Sequence, residues 1–345
     1  MERRTNVQLL YIEKKKPLRS TIVVIDSIAN HLTLSLVLVL VLCTPPSLAR
    51  EVGELRKAEV AFEAKRYAEA EQILLRLAGG GNARAARILG NCYMNGRGVP
   101  LDYSKARAWI EKAVAAGQPG AMDDLAWLLD SGLGVPQNHK LAMSYRERAA
   151  GLGNPDAQFS MGLHCMRGTN TKQDFSRAFK YFQSSAKSGI GNAECLLAHM
   201  YENGMGVSKN QQSAAALMKS AKSHGCSGGE YEIGRTYLRG LGIPKDYGKA
   251  HLWFTQAAAD GSAHAMNDLA MMYFHGVGVK IDDKKALEWE LKAERNGCPT
   301  AKFNLAERYR DGYGVPKDLK KARLLFDEAA KLGYTVTEDV NRVHR

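Results

Sequence analysis

The stretch NGRGVPLDYSKA, residues 95–106, sets two glycines one residue apart, then a proline and an aspartate. A glycine-rich turn ahead of a helix can cradle a phosphate on free backbone N–H groups. The same turn can simply reverse the chain between two helices, because glycine adopts positive φ without steric cost. The rest of the chain decides between these readings. The first glycine recurs at Gly96, Gly132, Gly168, Gly204, Gly240, Gly276 and Gly312, every step being 36 residues. The second recurs at Gly98, Gly134, Gly206, Gly242, Gly278 and Gly314, and Asn170, which tolerates a left-handed backbone, takes the missing place. Ala106, Ala142, Ala178, Ala214, Ala250, Ala286 and Ala322 keep the same step, as does a closing series from Gly117 to Gly333. No copy ends in Gly-Lys-Ser/Thr or follows a strand pattern, so the phosphate-loop reading falls. Seven copies without an insertion are an internal repeat.

Each copy carries its own geometry. In ARAARILGNCYMNG, Ala85, Leu89 and Tyr93 stand four apart and predict one face of a first helix. Asp102, Asn138, Asp174, Asn210, Asp246, Asp282 and Asp318 precede a second helix as its N-caps. That helix, YSKARAWIEKAVAAG in the first copy, is expected to face Ala106, Trp109 and Ala113 inward and to end at Gly117. Small alanines let neighbouring helices approach, while Trp109, Tyr145, Tyr181, Trp253 and Trp289 are expected to fill the space between layers. Residues 50–82 keep the second-helix phase at Ala70 and Gly81 but replace the Gly-x-Gly turn with KRY, which predicts a divergent capping pair resembling a tetratricopeptide unit. The expected fold is all-α, a right-handed α/α superhelical solenoid in which each pair buries its apolar face only against its neighbours. The expected organisation is a signal over 1–49, the capping pair over 50–82, seven repeats over 83–334 and a tail over 335–345.

The pattern A-x-x-x-L-[GA]-x-x-Y-x-x-G-x-G-V, then D-x-x-K-A-x-x-W and a final A and G, resembles the Sel-one-like repeat (SLR) family, relatives of the tetratricopeptide repeat. Residues 265–297 and 301–333 match it almost throughout. The resemblance implies an adaptor, a curved helical stack holding other proteins in membrane-associated or envelope assemblies, without catalysis or cofactor. One cysteine-rich branch binds or hydrolyses β-lactams and pairs cysteines regularly within each repeat; here the cysteines fall at irregular phases.

Residues 1–49 differ in kind. Six Lys/Arg (Arg3, Arg4, Lys14, Lys15, Lys16, Arg19) precede the apolar run LTLSLVLVLVLC, residues 32–43, and then TPPSLA. Basic region, apolar core and a small-x-small exit at Ser47-Leu48-Ala49 predict a secretory signal cut after Ala49. The alternative is an uncleaved anchor over residues 21–43, which Asp26, Asn30 and His31 interrupt. A lipoprotein signal at Cys43 is disfavoured by Leu42, where such signals need a small residue. In each case the remainder is exported, and the signal and repeat style point to a bacterial periplasm. Membrane contact is expected only through the signal or anchor. The exported part holds forty-two Lys/Arg and thirty-three Asp/Glu, a net +9 that suits an acidic or anionic partner, an anionic polysaccharide among them. Export argues against nucleic acid. Five cysteines remain (Cys92, Cys165, Cys195, Cys226, Cys298) without CxxC spacing, and read as small buried side chains with room for one bridge.

Within seven copies, positions that change are free to bind. Residues 84, 88, 91 and 95 and their equivalents form one face of the first helices and differ in every copy. Trp127 stands where other copies have Asn91, Leu163, His199, Arg235, Met271 and Glu307, and the same stripe holds Ile88, Leu196, Arg239, His264, His275 and Asp311. In tetratricopeptide-like stacks the first helices line the concave surface. By that resemblance a protein or peptide partner would meet Trp127, His199, Arg235, Arg239 and Met271, with the aromatic as anchor and the arginines as cationic contacts. No catalytic or metal constellation accompanies them. His264 and His275, eleven residues apart, stand about 16 Å apart on a helix, and His164–Cys165 with His199 and Cys195 lack ligand spacing. Ser184-x-x-Lys187 lacks the partner motifs of penicillin-recognising enzymes.

Overall fold

The computed structural model describes residues 46–334, which form sixteen α-helices and, among the described residues, no strand. The described residues divide into two compact units that part between residues 73 and 74. The first unit holds α1 (Pro46–Glu63) and the start of α2 (Tyr67–Gly79). The expected cut after Ala49 falls within the first turn of α1. In the KRY turn, where no glycine is available, Lys65 itself takes the left-handed conformation at φ 57°. The apolar run at 32–43 and the tail at 335–345 lie outside the described residues.

In the second unit each 36-residue copy folds as a helix pair. The first helices are α3 (Ala83–Asn95), α5 (Pro119–Ser131), α7 (Pro155–Arg167), α9 (Gly191–Asn203), α11 (Ser227–Arg239), α13 (Ala263–His275) and α15 (Pro299–Asp311). The second helices are α4 (Tyr103–Ala115), α6 (His139–Gly151), α8 (Phe175–Ala186), α10 (Gln211–His224), α12 (Tyr247–Ala259), α14 (Asp283–Arg295) and α16 (Leu319–Lys331). Every first helix ends on the first glycine of its turn in the left-handed region, Gly96 at φ 62° for example. Asn170 adopts φ 58°, as its substitution for glycine requires. The turn then closes on the helix it left: Asp102 donates its backbone N–H to the Tyr93 carbonyl at 2.9 Å, and the equivalent bond recurs in all seven copies. The Asp102 carboxylate accepts from Lys105 N at 2.9 Å, capping α4. The same cap recurs at each second helix and is worth about 1 kcal/mol apiece.

Packing between the helices of a pair corrects one expectation. Trp109, Tyr145, Tyr181, Trp253 and Trp289 are only half-buried, and lysines lie over two of their rings, Lys112 on Trp109 at 3.9 Å and Lys292 on Trp289 at 4.2 Å. The core position is one residue further on. Ile110, Phe182 and Phe254 are fully buried there, because residues 106, 110 and 113 lie along the middle of the inward stripe and residue 109 at its edge. Each of these large side chains faces a glycine in the first helix. A Cβ added at Gly90 would lie 2.6 Å from Ile110 Cγ1, at Gly162 2.5 Å from Phe182 Cε1, and at Gly234 2.5 Å from Phe254 Cδ1. In the alternate copies the first helix carries Ala126, Ala198 and Ala270 instead, and the core position holds Arg146, Met218 and Glu290. Two charged side chains are therefore sealed into the stack, Arg146 at 5% and Glu290 at 2% exposure.

Both are paired. Arg146 contacts Asp123 at 3.2 Å and Asp130 at 2.9 Å, and donates to His164 Nε2 at 3.1 Å. His164 therefore carries its proton on Nδ1, which points at the Thr169 carbonyl 2.9 Å away. Burial holds the Asp123 carboxyl up at about 6 despite Arg146. Glu290 accepts two hydrogen bonds from Arg308, at 2.5 and 3.2 Å.

One junction is tighter than the others. α11 opens with Gly228 and Gly229, and Gly229 N donates to the Asn192 side chain at 2.9 Å. A Cβ at Gly229 would lie 2.7 Å from the Asn192 carbonyl oxygen and 2.8 Å from Cys195 Cβ, so α11 is drawn onto α9 as no alanine would permit. At the far end the stack returns toward its start: the Tyr103 hydroxyl donates to the Lys331 carbonyl at 3.4 Å, and a Cβ at Gly333 would lie 2.8 Å from Leu133 Cδ1.

Candidate binding face of the repeat stack

The first helices carry the candidate site, and their mutual contacts show which way the stack bends. Arg167, at the end of α7, pairs with Glu232 in the middle of α11, two repeats away, with Nε donating to Oε2 at 3.1 Å. Side chains that reach across an intervening repeat lie on the inside of a curve. Neighbouring first helices are tied along the same stripe by Arg87 and Asp124 at 2.6 Å and by Asn304 and Asn267 at 3.2 Å. Gly120 leaves the space that the Arg87 guanidinium occupies.

The sequence-derived stripe divides on this surface. Trp127 is 43% exposed and available. Arg239 is exposed at the end of α11. Among the described residues its guanidinium has no carboxylate within ion-pair distance, and its pKa is lowered by partial burial and by the neighbouring Arg235 and Arg167. Arg235 is half-buried, 3.4 Å from Glu232, 5.7 Å from the Tyr231 ring and within the field of Asp268. Met271 is half-buried and accepts a contact from the Asn304 amide at 3.6 Å. His199 departs from expectation. It is 1% exposed, packed edge-on to Tyr237 with ring centroids 5.3 Å apart, and its Nε2 has no hydrogen-bond partner among the described residues. Burial lowers its pKa to about 4, so it is a neutral core side chain and not a surface contact. Leu196, in the same helix, is also fully buried.

The cause lies at the tight junction. Gly228 and Gly229 bring α11 onto α9, Gly191 lets α9 meet the end of α10, the Arg167–Glu232 bridge spans the repeats on either side, and residues 193–200 of α9 are all buried. The inner face is thereby split into a part around Trp127 and a part around Arg235, Arg239 and Met271. On the second-helix side the same bend leaves a cleft of about 390 Å³ between α8 and α10, walled by Phe179, Leu197, Tyr201 and Leu217 with Lys187 and Glu194 at its polar edge. Sequence reasoning missed this cleft, because it is a consequence of helix separation and not of any one motif.

All five cysteines in the described residues are buried. Among the described residues no three His, Cys, Asp or Glu side chains converge on a common point, and no helix is long and apolar enough to cross a membrane.

Comparison with known proteins agrees with the repeat geometry. The Sel1 repeat model matches residues 83–118, 119–154, 155–190, 191–226, 227–262, 263–298 and 299–334. Among solved structures the chain is similar to c5321, a protective antigen of uropathogenic Escherichia coli displaying an SLR fold. The two share 28% identity over 82% of this chain and 62% of that one, with a TM-score of 0.45. It is also similar to a Sel1 repeat protein from Oxalobacter formigenes at 28% identity, covering 70% of this chain and 99% of that one, with a TM-score of 0.49. The chain is similar as well to the immunity protein Pa5087 of Pseudomonas aeruginosa at 19% identity, over 61% of this chain and 82% of that one, with a TM-score of 0.41. No curated protein sequence matches the chain. Sel1 repeat proteins generally act as non-enzymatic scaffolds that bind protein partners. With seven consecutive repeats over residues 83–334, the chain belongs to the Sel1 repeat family.

Proposed function

We propose that this protein is an exported envelope scaffold that captures a protein partner on the inner face of its repeat stack. Arg239 carries the reading. Along a stripe where Arg87, Arg167, Arg235 and Asn304 are each satisfied by a neighbour, the exposed Arg239 has no carboxylate at ion-pair distance among the described residues and stands beside two further guanidiniums. An acidic side chain or chain terminus of a partner satisfies it. Trp127, exposed on the same stripe, supplies an apolar contact of the kind enriched at binding hot spots. Export rests on the basic region, apolar run and Ser47-Leu48-Ala49 exit at the N-terminus, and the +9 charge of the exported part favours an acidic partner.

The test compares partners retained from envelope extract by wild-type protein, Trp127→Ala and Arg239→Glu. Helical content is checked by circular dichroism. Both variants fold and lose the partner; undiminished retention by folded Arg239→Glu contradicts the reading. Fractionation with N-terminal sequencing tests export separately, with Arg50 expected as the first residue of the mature chain.

A further inference from the structure

We propose that the cleft between α8 and α10 is a second docking site, separate from the inner face, for an acidic peptide segment of a partner that inserts one aromatic side chain. The cleft exists because the fourth copy lacks two side chains that other copies place there. Five copies carry a tyrosine in the last turn of the first helix, as Tyr93, Tyr201, Tyr237, Tyr273 and Tyr309. In four of them a lysine of the second helix lies over that ring: Lys105 at 5.4 Å from its centroid, Lys249 at 5.2 Å, Lys285 at 5.3 Å and Lys321 at 4.1 Å. In the fourth copy Ser213 takes the lysine's place, and among the described residues no cation covers Tyr201. The place held by Trp109, Tyr145, Tyr181, Trp253 and Trp289 is held here by Leu217. A lysine stem and an aromatic ring are missing from one spot, and Tyr201, Ser213 and Leu217 all line the resulting cleft of about 390 Å³.

What remains is an apolar slot with an aromatic wall. Phe179, from the preceding repeat, meets Tyr201 edge-on with ring centroids 5.2 Å apart and planes at 89°. Glu194, Leu197 and Tyr201 follow one another at i, i+3 and i+7 on α9, so the cleft runs along two helical turns, about 10 Å. That length takes one large side chain and leaves its flanking backbone over α8 and α10. An aromatic ring restores the contact that Leu217 omits and packs against Phe179 and Tyr201 as aromatic pairs do.

Charge selects the flanks. Neither α8 nor α10 contains an aspartate or glutamate. Lys180 and Lys187 are exposed on and just beyond α8, and Lys219 and Lys222 on α10. Among the described residues none of the four has a carboxylate within ion-pair distance. Glu194, which lines the cleft, already accepts from Ser220 Oγ at 3.0 Å and contacts His224 Nδ1 at 2.9 Å. Glu202 Oε2 stands 4.0 Å from His199 Nδ1 and does not line the cleft. Acidic flanks are therefore attracted and basic ones repelled. The same field argues against a partner lysine over Tyr201. In three other copies the lysine is held by an aspartate cap, Asp102 at 3.6 Å, Asp246 at 3.8 Å and Asp282 at 3.4 Å, and here that cap is the neutral Asn210.

The test measures binding of fluorescein-labelled Asp-Glu-Asp-Trp-Glu-Asp-Glu to the full chain by fluorescence polarisation. The comparison peptides are Asp-Glu-Asp-Ala-Glu-Asp-Glu and Lys-Arg-Lys-Trp-Lys-Arg-Lys. Expected are binding of the acidic tryptophan peptide, an affinity lower by about tenfold or more for its alanine counterpart, and no binding of the basic one. Ser213→Lys and Leu217→Trp install residues that other copies carry at the same places, and each lowers the affinity by about tenfold or more. Ser213→Lys adds a positive charge while it fills the cleft, so attraction by charge alone makes it bind tighter. Trp127→Ala and Arg239→Glu, on the inner face, leave the affinity within about twofold, which keeps failure here apart from failure of the inner-face reading. Tighter binding by folded Ser213→Lys, equal binding of the tryptophan and alanine peptides, or no binding by the wild type overturns the proposal. So does loss in Arg239→Glu with Leu217→Trp unaffected, which moves the peptide to the inner face. A dimer in sedimentation that Leu217→Trp abolishes gives the cleft to a second copy and overturns it as well. If either filling variant fails to fold, Lys187→Glu at the exposed edge replaces it, with weaker binding expected and unchanged binding contrary.

Discussion

Replacing Glu290 by glutamine removes one charge from a sealed pair and leaves the other. Glu290 and Arg308 are 2% and 5% exposed, joined by hydrogen bonds of 2.5 and 3.2 Å. The guanidinium is further sandwiched near Phe274 at 4.9 Å and Tyr313 at 5.4 Å, and its third nitrogen, Nη1, has no hydrogen-bond partner among the described residues. Burial already pushes the Glu290 carboxyl up in spite of Arg308, so desolvation of the pair is large. An uncompensated buried arginine costs about 3–5 kcal/mol, whereas replacing both members with packed apolar groups is close to neutral. The repeat supplies those groups. Met218 occupies the place of Glu290 in another copy, and Met200 and Met272 occupy the place of Arg308. Glu290→Gln should therefore lose about 3–5 kcal/mol, and the double variant Glu290→Met/Arg308→Met should return to within about 1–2 kcal/mol of wild type. Urea unfolding followed by circular dichroism and by Trp289 fluorescence measures both, as early loss of the C-terminal pairs α13–α16. A cost below about 1 kcal/mol for the single variant would show that water reaches the pair, as at exposed ion pairs. A double variant no better than the single would show that core positions are not interchangeable between copies.

His199 makes the stack acid-sensitive. Its folded pKa of about 4 lies below the ordinary 6.5, so the stability it contributes is present above pH 6.5 and falls away as the pH drops toward 4. At about 1.4 kcal/mol per unit this amounts to roughly 3 kcal/mol. His199→Leu, the residue another copy carries at Leu163, should remove that loss in urea unfolding at pH 7 and pH 4.5. Asp123 acts in the opposite sense, since its raised value of about 6 stabilises the fold below pH 3.8 and ceases to do so through pH 6; the wild-type-to-variant difference, not the bare slope, is therefore the quantity to compare. Gly229→Ala drives a methyl into the Asn192 backbone and should cost about 1–3 kcal/mol in thermal unfolding, the reverse of the gain that alanine gives at an open helical site. Asp102→Ala removes the cap of α4 and should lower stability by about 1 kcal/mol in the same assay.

The repeat, its turns and its caps were legible because each is written in local chemistry repeated seven times. Asn170 was the sharpest case, an exception that still obeyed the backbone rule. What could not be read was helix rotation. A rotation of a fraction of a residue moves the core from Trp109 to Ile110, and both are apolar. The burial of His199 depends on how closely α11 approaches α9, which no residue of α9 states. A signal did exist: the position held by Ala85, Ala121, Ala157, Ala193, Ala265 and Ala301 holds Gly229 in the fifth copy. Losing a methyl where six copies keep it marks a close junction. The charged core pairs were hidden for a different reason. Arg146 and Glu290 read as surface residues until the stack supplies Asp123, Asp130 and Arg308 around them.

The proposed function puts a protein partner on the inner face of the stack, on either side of the closed segment at α9. Photo-crosslinking in intact cells tests it most directly, with p-benzoylphenylalanine placed in turn at Trp127, at Arg239 and at Leu252, which is 68% exposed on a second helix. The expected result is a protein adduct from positions 127 and 239 and none from 252. Adducts from 252 alone, with 127 and 239 silent in folded protein, would contradict it.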